Sequence, residues 1–371
     1  MGPWTIGVDF GGTNIKVGCV TPRGRVVRSL VLPTRAHATP QTFLNGVERA
    51  IDRLCAALNI RRSQVRGVGV GVPGLVDGRR GVIYRLVNVP GGWEGVALRR
   101  LLERRLRCPC AIENDVNVVA LGEWRFGAGR GTRHSVYVTL GTGVGGGLVV
   151  DGALVRGITG AAGEIGHTGV QLNGPRDMRS MSGTESPKSL RDFWGPKCAC
   201  GRRGCLEAFV GTAGIVRRAR QTIRAGRVPA HAALRGRPDS GRSGSQLARL
   251  AVLHGGRLTP KLVSEAARAG DRAAMDIWRE VGDSLGAALA NVVNLLSPER
   301  IVIGGGVAGA WPWFRGRLRA TVRELAFAVP ANACQIVRAQ LGDDAGIIGG
   351  AILVWERERE DTGSEIVIRG S

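Results

Sequence analysis

The sequence predicts an α/β fold made of two similar halves. Two segments support this prediction, 4–20 and 135–150. The pattern of each predicts a strand, a tight glycine turn and a second strand. Elsewhere strand-like and helix-like patterns alternate, as they do in α/β proteins. A chain of 371 residues is long enough for two domains. We therefore expect two duplicated α/β lobes that face each other across a cleft.

The first half is expected to form a β-β-β-α-β-α-β unit. Apolar alternation predicts strands at 4–8, 15–20, 26–32 and 65–72, and helical periodicity predicts a helix at about 40–58.

The second half contains a long apolar stripe at spacings of three and four, which predicts a buried helix ending at Ser297-Pro298. A strand follows at 300–303, and further helices are expected from about Trp313 and from Asp343 to Glu358. The last helix should return to the N-terminal lobe. The stripe consists of Ile277, Val281, Leu285, Leu289, Val292 and Leu296.

The first glycine turn has the composition of a phosphate site. Gly11 and Gly12 let backbone amides approach phosphate closely, and Thr13 adds a hydroxyl donor. Asp9 would face the phosphates through a magnesium ion. The alternative is an ordinary hairpin turn that carries an acidic residue.

The second glycine turn fits two interpretations. Gly141, Gly143 and Gly146 match the spacing of a dinucleotide-binding fingerprint. That site needs a helix directly after the turn, whereas this sequence predicts another strand. A second phosphate loop is therefore favoured.

The catalytic candidate is Asp115, which follows Asn114 at the end of an apolar strand and before a helical run. Open α/β sheets bind ligands at this end of their strands. Phosphoryl transfer to an alcohol requires a carboxylate that accepts the hydroxyl proton. The alternative is that Asn114 or Asp115 only caps the next helix.

Three cysteines at C-x-C-x4-C spacing, with glycines between the second and third, predict a zinc site. His167, in a glycine-flanked segment upstream, is the candidate for the fourth ligand. Four protein ligands leave no position for water, so the ion would be structural and would clamp the segments of Glu164 and Glu207 together. A redox pair or packed thiols is the alternative. The three thiols are Cys198, Cys200 and Cys205.

Composition narrows the class of protein. The formal net charge is +22, from 52 basic and 30 acidic residues, but the arginines are scattered. A specific nucleic-acid binder should concentrate them on one element, so we expect none. With 43% hydrophobic residues, no apolar run long enough for a bilayer and no leader pattern, we expect a cytoplasmic protein with no membrane partner.

Two motifs together resemble the ROK family of bacterial sugar kinases and transcriptional repressors. They are Glu-x-Gly-His at 164–167 and Cys-x-Cys-Gly-x-x-Gly-Cys-x-Glu at 198–207. Asp-x-Gly-Gly-Thr at 9–13 is similar to the first phosphate motif of the actin-like ATPase and sugar kinase superfamily. The resemblance runs from Ile6 to about Val354. It implies a two-lobed actin-like ATPase (ribonuclease H-like) fold of the sugar kinase/hexokinase superfamily.

The resemblance also implies roles for residues at matching positions. Asp115 would activate the C6 hydroxyl of a hexose, and His167 would use one ring nitrogen for zinc and the other for the sugar. In the loop after Asn88 a second glycine precedes Trp93, which departs from the family pattern. The implied sugar ligands are Asn88, Asn114, Asp115, Glu164, His167 and Glu207. The implied ATP site comprises Asp9, Gly11, Gly12, Thr13, Thr142, Gly143, Gly305 and Gly306.

The implied function is ATP- and Mg²⁺-dependent phosphorylation of glucose to glucose 6-phosphate, with structural Zn²⁺. Within the family, an N-acetylmannosamine, N-acetylglucosamine or fructose kinase is the alternative, and polyphosphate is an alternative donor. A sugar-responsive regulator is disfavoured, because the chain opens directly on the phosphate hairpin instead of a helix-turn-helix. Members of the family form dimers and tetramers, so the resemblance implies a homodimer or homotetramer.

The resemblance to the family also implies the domain boundaries. A smaller lobe at 1–120 is completed by the helix at about 343–358, and a larger lobe at 121–342 carries the zinc knuckle. Two inserted loops are expected, at 173–196 and 226–244, because both stretches are polar and basic and contain serine and proline. We expect a mobile tail at 359–371.

Overall fold

The computed structural model describes residues 4–87, 89–170, 195–225 and 245–362. The predicted insertions and tail therefore lie outside the described residues, apart from 195–196 and 359–362, and so does Asn88. Within the described ranges, no helix combines the length and the apolarity that crossing a bilayer requires.

The first sheet has five strands in the order β3-β2-β1-β4-β7. Strands β1 to β3 are antiparallel neighbours, whereas β4 and β7 run parallel to β1. Helix α1 follows β3, helix α2 precedes β7, and a separate hairpin of β5 and β6 follows β4. The predicted β-β-β-α-β-α-β unit is confirmed. The bounds are β1 Trp4–Phe10, β2 Asn14–Val20, β3 Val26–Pro33, α1 Pro40–Leu58, β4 Val65–Val72, β5 Gly74–Asp77, β6 Val82–Leu86, α2 Leu98–Leu106, β7 Cys110–Asn114 and α3 Asp115–Phe126.

The second sheet repeats this arrangement with strands in the order β10-β9-β8-β11-β12. In both sheets the first three strands lie in reverse chain order and the fourth and fifth follow on the other side of the first. The predicted duplication is thus seen in the sheet topology. The bounds are β8 Ser135–Leu140, β9 Val144–Val150, β10 Ala153–Leu154, β11 Arg300–Gly304 and β12 Gln335–Arg338.

Helices fill the connections of the second sheet. The apolar stripe of the long helix α8 is buried as predicted, with Leu296 half-buried at its end. The helix expected from Trp313 begins two residues earlier, because Pro312 occupies the first turn, where no amide donor is needed. The bounds are α4 Leu206–Val210, α5 Thr212–Ala225, α6 Gln246–Leu253, α7 Pro260–Arg268, α8 Arg272–Leu296, α9 Trp311–Leu325, α10 Ala328–Ala333 and α11 Ala345–Thr362.

The chain divides into two compact units. The first comprises Met1–Tyr137, Gly147–Gly163 and Ala339–Ser371, and the second comprises Val138–Gly146 and Glu164–Arg338. Helix α11 belongs to the first unit, as expected for the returning C-terminal helix. The division into lobes at residues 120 and 342 stays a prediction.

Helix α11 packs on the first sheet through glycines. A Cβ on Gly7 of β1 would overlap the carbonyl oxygen of Ile347, and one on Gly349 would overlap the carbonyl oxygen of Val118 in α3. Without side chains at these positions, backbone meets backbone directly. The start of α11 is thereby fixed close to Asp9, since a Cβ on Gly346 would lie 2.7 Å from the Asp9 carboxyl carbon.

Candidate active site and metal centre

The second unit gathers the four predicted metal ligands. One ligand atom each from His167, Cys198, Cys200 and Cys205 lies within 4.8 Å of the others. The sulfurs of Cys200 and Cys205 are 3.7 Å apart, and Cys198 Sγ is 3.8 Å from His167 Nδ1. Tetrahedral zinc with sulfur at about 2.3 Å gives ligand separations of about 3.8 Å. The donor set therefore fits a structural zinc ion.

Backbone turns hold this knuckle together. Gly201 and Gly204 adopt φ of 90° and 74°, which strongly favours glycine. The amide of Cys198 donates to Arg202 at 2.8 Å, and that of Leu206 donates to Thr168 at 3.0 Å. The second bond joins the segment of His167 to the segment that follows Cys205. The sequence thus builds the ligand set from two separate stretches.

The three thiols of the knuckle differ in the direction in which the protein shifts their pKa. Burial raises the pKa of Cys198 to about 12 and raises that of Cys205. A backbone N–H from Arg202 lowers the pKa of the exposed Cys200. Zinc binds thiolates. Three thiolates here need a cation to offset the burial of two of them.

Glu207 connects the knuckle to the second glycine turn. Its Oε1 accepts a hydrogen bond from the Cys198 thiol at 3.5 Å, and its Oε2 accepts one from the Val144 amide at 3.0 Å. Glu164 lies on the other side of the imidazole, with its Oε2 3.9 Å from His167 Nε2. Nδ1 thus faces the thiols while Nε2 faces a carboxylate, and the division of the ring between zinc and a sugar stays a prediction.

The second glycine turn joins β8 to β9, so a strand follows it and the dinucleotide interpretation is wrong. The Gly141 amide donates to the Gly143 carbonyl at 2.9 Å, and Thr212 donates to the Gly141 carbonyl from both its amide and its hydroxyl. A Cβ on Gly305, whose φ is 83°, would overlap the carbonyl oxygen of Leu140 at the end of β8. Gly305 and Gly306 therefore lie beside the turn of Thr142 and Gly143.

The first glycine turn is held by Thr34. Its hydroxyl donates to the Gly11 carbonyl at 2.8 Å, and its amide donates to the Thr13 carbonyl at 3.0 Å. Gly12 and Thr13 remain exposed at the tip. Their backbone is thus fixed while one side is open to a ligand.

Asp9 faces Lys16 across the β1–β2 hairpin, where the two residues are register partners. Burial raises the pKa of Asp9, with Lys16 opposing and Asp343 adding to the rise. Lys16 Nζ also lies 3.4 Å from Asp343 Oδ1. Sequence patterns do not predict Lys16 or Asp343 at this site. Hairpin register could have found the lysine, whereas Asp343 is brought here only by the return of the C-terminal segment.

Asn114 and Asp115 form one hydrogen-bonded unit at the start of α3. Asn114 Oδ1 accepts from the amides of Val116 and Asn117 at 2.9 and 3.1 Å, so Asn114 is the helix cap. Its Nδ2 donates to Asp115 Oδ1 at 3.1 Å, and the Val116 amide donates to the same oxygen at 3.0 Å. The capping role and the orientation of Asp115 are therefore compatible.

A second carboxylate, missed by the sequence analysis, supports this pair. Glu113 is 1% exposed and accepts from the Asn114 amide at 2.9 Å and from Asn117 Nδ2 at 3.2 Å. Its other oxygen accepts from Arg156 Nε at 2.5 Å. A buried carboxylate needs such partners. Glu113 directly precedes the predicted Asn114-Asp115 pair in the sequence, but nothing in the sequence points to Arg156.

The predicted sugar residues fall into two sets. Asn114 and Asp115 lie together in the first unit, and Glu164, His167 and Glu207 lie together in the second. Asn88 lies outside the described residues. The loop that follows it is anchored by Trp93, which is 3% exposed and donates from Nε1 to the Ala38 carbonyl at 2.6 Å. Both Gly91 and Gly92 adopt positive φ, so the additional glycine is accommodated as part of the turn.

The sequence profile of the ROK family matches residues 5–357. The chain belongs to the ROK family. The predicted family is thereby confirmed, as is the predicted actin-like α/β fold class.

Several relatives of this ROK protein are glucokinases. The glucokinase of Halalkalibacterium halodurans is 35% identical over 355 residues, which cover 96% of each chain. The glucokinase of Thermotoga maritima is 33% identical over 358 residues, 95% of this chain and 97% of the relative. A crystal structure of a ROK family glucokinase from Streptomyces griseus, in complex with glucose and AMPPNP, superimposes with a TM-score of 0.72 at 31% identity. That alignment covers 95% of this chain and 99% of the other.

Proposed function

We propose that this protein is an ATP-dependent glucokinase that converts glucose to glucose 6-phosphate. The observation that carries the proposal is the fixed position of Asp115, at the carboxyl end of β7 with one oxygen bound by Asn114 Nδ2 and the Val116 amide. The full-length similarity to glucokinases, one of them bound to glucose and an ATP analogue, supports the choice of substrates.

Asp115 accepts the proton of the sugar 6-hydroxyl as the new bond to the γ-phosphorus forms. The bond between that phosphorus and its bridging oxygen to the β-phosphate breaks, and ADP leaves. Transfer of this kind depends on position and electrostatics more than on covalent chemistry. The hydrogen bonds at the start of α3 hold the Asp115 carboxylate for this task.

The phosphate-binding role is proposed for both glycine turns. Backbone amides at Gly11–Thr13 and at Gly141–Gly143 would hold the phosphates, and Gly305 and Gly306 would leave room for the nucleoside. Asp9 would hold magnesium, which when bound offsets phosphate charge. Lys16, paired in register with Asp9, adds a cation at the first turn.

The sugar-binding role is proposed for Asn88, Asn114, Glu164, His167 and Glu207 together with Asp115. Zinc, when bound by the four ligands of the knuckle, would supply no reaction chemistry but would fix His167 and the backbone that leads into Glu207. His167 Nε2 and Glu164 would then present a donor and an acceptor to sugar hydroxyls. This division follows from Nδ1 facing the thiols.

The test is ADP release by purified, zinc-loaded protein with Mg-ATP and each of five sugars: glucose, mannose, fructose, N-acetylglucosamine and N-acetylmannosamine. We expect a preference for glucose of about a hundredfold or more in kcat/KM, or about 2.7 kcal/mol. The product should be the 6-phosphate, identified by ³¹P NMR.

Two results would change the proposal. A larger kcat/KM with an N-acetylhexosamine or with fructose would reassign the substrate while keeping Asp115 as the base. Folded, zinc-loaded protein that turns over no sugar with ATP would contradict the donor or the activity, and repeating the assay with polyphosphate would distinguish these. We further propose that the protein is cytoplasmic and that it forms a homodimer or homotetramer. Sedimentation analysis would check the oligomeric state.

A further inference from the structure

The first unit contains a cavity of about 410 Å³ that has no part in the proposed reaction. It lies beside β7, and its walls come from the β5–β6 turn, the start of α2 and the later turns of α11. Pockets that bind small molecules enclose roughly 300–1,000 Å³. The cavity is thus large enough for a small metabolite.

The walls of this cavity are strongly basic. Four arginines and two glutamates line it, which leaves a formal charge of 4 − 2 = +2. Basic residues are scattered over most of this chain, but here four guanidinium groups from four different segments meet around one space. The six residues are Arg79, Arg99, Arg156, Arg357, Glu113 and Glu356.

Arg156 and Arg357 have carboxylate partners, Glu113 and Glu103, whereas Arg99 has a donor that no described protein group uses. Its Nε is buried and has no hydrogen-bond partner within the part of the chain that the structure describes. The nearby Glu103 Oε1 is 4.0 Å from this nitrogen, beyond hydrogen-bonding distance. Its NH1 does donate, to the Arg79 carbonyl at 2.7 Å. That bond orients the guanidinium. Arg99 thus lines the cavity with a buried Nε–H that donates to no group of the described residues.

We propose that this cavity binds a small phosphate dianion, either inorganic phosphate or a phosphate monoester. A phosphate monoester carries about −1.5 to −2 charges at neutral pH, which matches the surplus of the walls. Guanidinium groups bind phosphate oxygens in pairs of parallel hydrogen bonds. Cations on several sides suit a tetrahedral anion with three terminal oxygens better than a planar carboxylate.

The position of the cavity connects it with the support of Asp115. Arg156 lines the cavity and at the same time donates to the buried Glu113 carboxylate at 2.5 Å. Glu113 in turn accepts from the Asn114 amide. A bound anion would therefore share Arg156 with the carboxylate that holds the start of α3.

The experiment is calorimetric titration of the full, zinc-loaded chain with inorganic phosphate and, separately, with glucose 6-phosphate. Saturating Mg-AMPPNP and glucose are present throughout, so that the nucleotide and sugar sites are filled. Arg79→Gln and Arg99→Gln remove one charge each from the cavity. Arg80→Gln is the matched control, because Arg80 adjoins Arg79 but its side chain is 80% exposed and does not line the cavity.

We expect saturable binding of at least one of the two probes with one site per chain. Each cavity variant should weaken it by about tenfold or more, the effect of one charge-assisted hydrogen bond, while Arg80→Gln leaves it unchanged. No saturable binding of either probe would overturn the proposal, and so would an equal loss in Arg80→Gln. Arg79 is exposed, so Arg79→Gln keeps the test valid if Arg99→Gln fails to fold.

Discussion

The start of α3 and the cysteine knuckle hold their functional groups by different means. At α3, the Asp115 carboxylate is fixed by hydrogen bonds that the chain supplies, from Asn114 Nδ2 and the Val116 amide. In the knuckle, backbone turns bring the ligand atoms within 4.8 Å of one another, but burial opposes the thiolate form of Cys198. At the first site, hydrogen bonds within the chain orient the carboxylate. At the second, the chain gathers the ligand atoms, and in our proposal a zinc ion binds them.

This difference separates chemistry from stability. Changes at α3 should alter turnover while the fold persists, because the supporting hydrogen bonds belong to a formed helix cap. Changes at the knuckle should alter stability and metal content first, because the proposed zinc ion would join two stretches of chain that lie far apart in sequence. One substitution at each site tests this separation, and two more test carboxylates of the first unit. They follow in order of decreasing effect on the property that each is designed to change.

The largest effect is expected from Asp115→Asn. The amide can still accept from Val116 but cannot take the hydroxyl proton, so kcat should fall by about 10²- to 10⁴-fold, up to about 5.5 kcal/mol. The melting temperature should stay close to that of the wild type. Asp52→Asn, at an exposed site on α1, is the control. If Tm fell substantially along with kcat, the loss of turnover would come from a destabilised fold and not from a missing base.

Replacing Cys200 with serine should abolish zinc binding, measured as metal content per chain. Cys200 is exposed, so the serine hydroxyl should not by itself lower the free energy of unfolding. Any loss of stability then measures the contribution of the metal. Removal of a structural metal is among the changes that cost more than about 4 kcal/mol. Cys334→Ser, a cysteine of the same unit outside the knuckle, should leave zinc content unchanged. Full zinc content in the Cys200 variant would disprove the ligand assignment.

The Glu113→Gln substitution leaves Arg156 without its carboxylate. Breaking a fully buried pair costs about 3–5 kcal/mol, and the cost here should be smaller because the Arg156 side chain is 29% exposed. Urea unfolding measures it. The double variant Glu113→Gln/Arg156→Gln should recover part of the loss, since no unpaired charge remains. Equal destabilisation in Glu113→Gln and in the double variant would show that the guanidinium left behind in the single variant is not what destabilises it.

The smallest effect on stability, and one of opposite sign, is expected from Asp9→Asn. Burial raises the pKa of Asp9 above its ordinary 3.8, so its stabilising contribution is present below that pH and is lost as pH rises through the folded-state value. At pH 7 this carboxyl group therefore contributes less stability to the ligand-free protein than it does below pH 3.8.

The asparagine variant should melt higher at pH 7, within the roughly 0.5–2 kcal/mol typical of single stabilising changes. The advantage should shrink as the pH approaches 4, and turnover should be lost with the magnesium ligand. Thermal melts of the ligand-free proteins across this pH range check the sign. A lower Tm for the variant at pH 7 would show that the attraction between Asp9 and Lys16 outweighs burial.

The sequence by itself determined the local units. Apolar periodicity predicted the strands of the first sheet and the long buried helix, because burial on one face imposes a period of two or 3.6 residues. The two glycine turns predicted the duplication. Spacing likewise gave the three thiols and His167, since a metal knuckle is built from short turns. The Asn114-Asp115 pair was found for the same reason, because cap and carboxylate are adjacent in the chain.

Only the tertiary structure decided which distant residues meet. Arg156 reaches Glu113 from a loop 43 positions away, and Asp343 reaches Lys16 across 327 positions. Glu207 bonds the Val144 amide 63 positions upstream. No periodicity encodes such contacts, because each depends on where a whole element packs, as α11 does when its glycines allow it to meet the sheet. The basic cavity beside β7 arises in the same way, from four segments that the fold brings together.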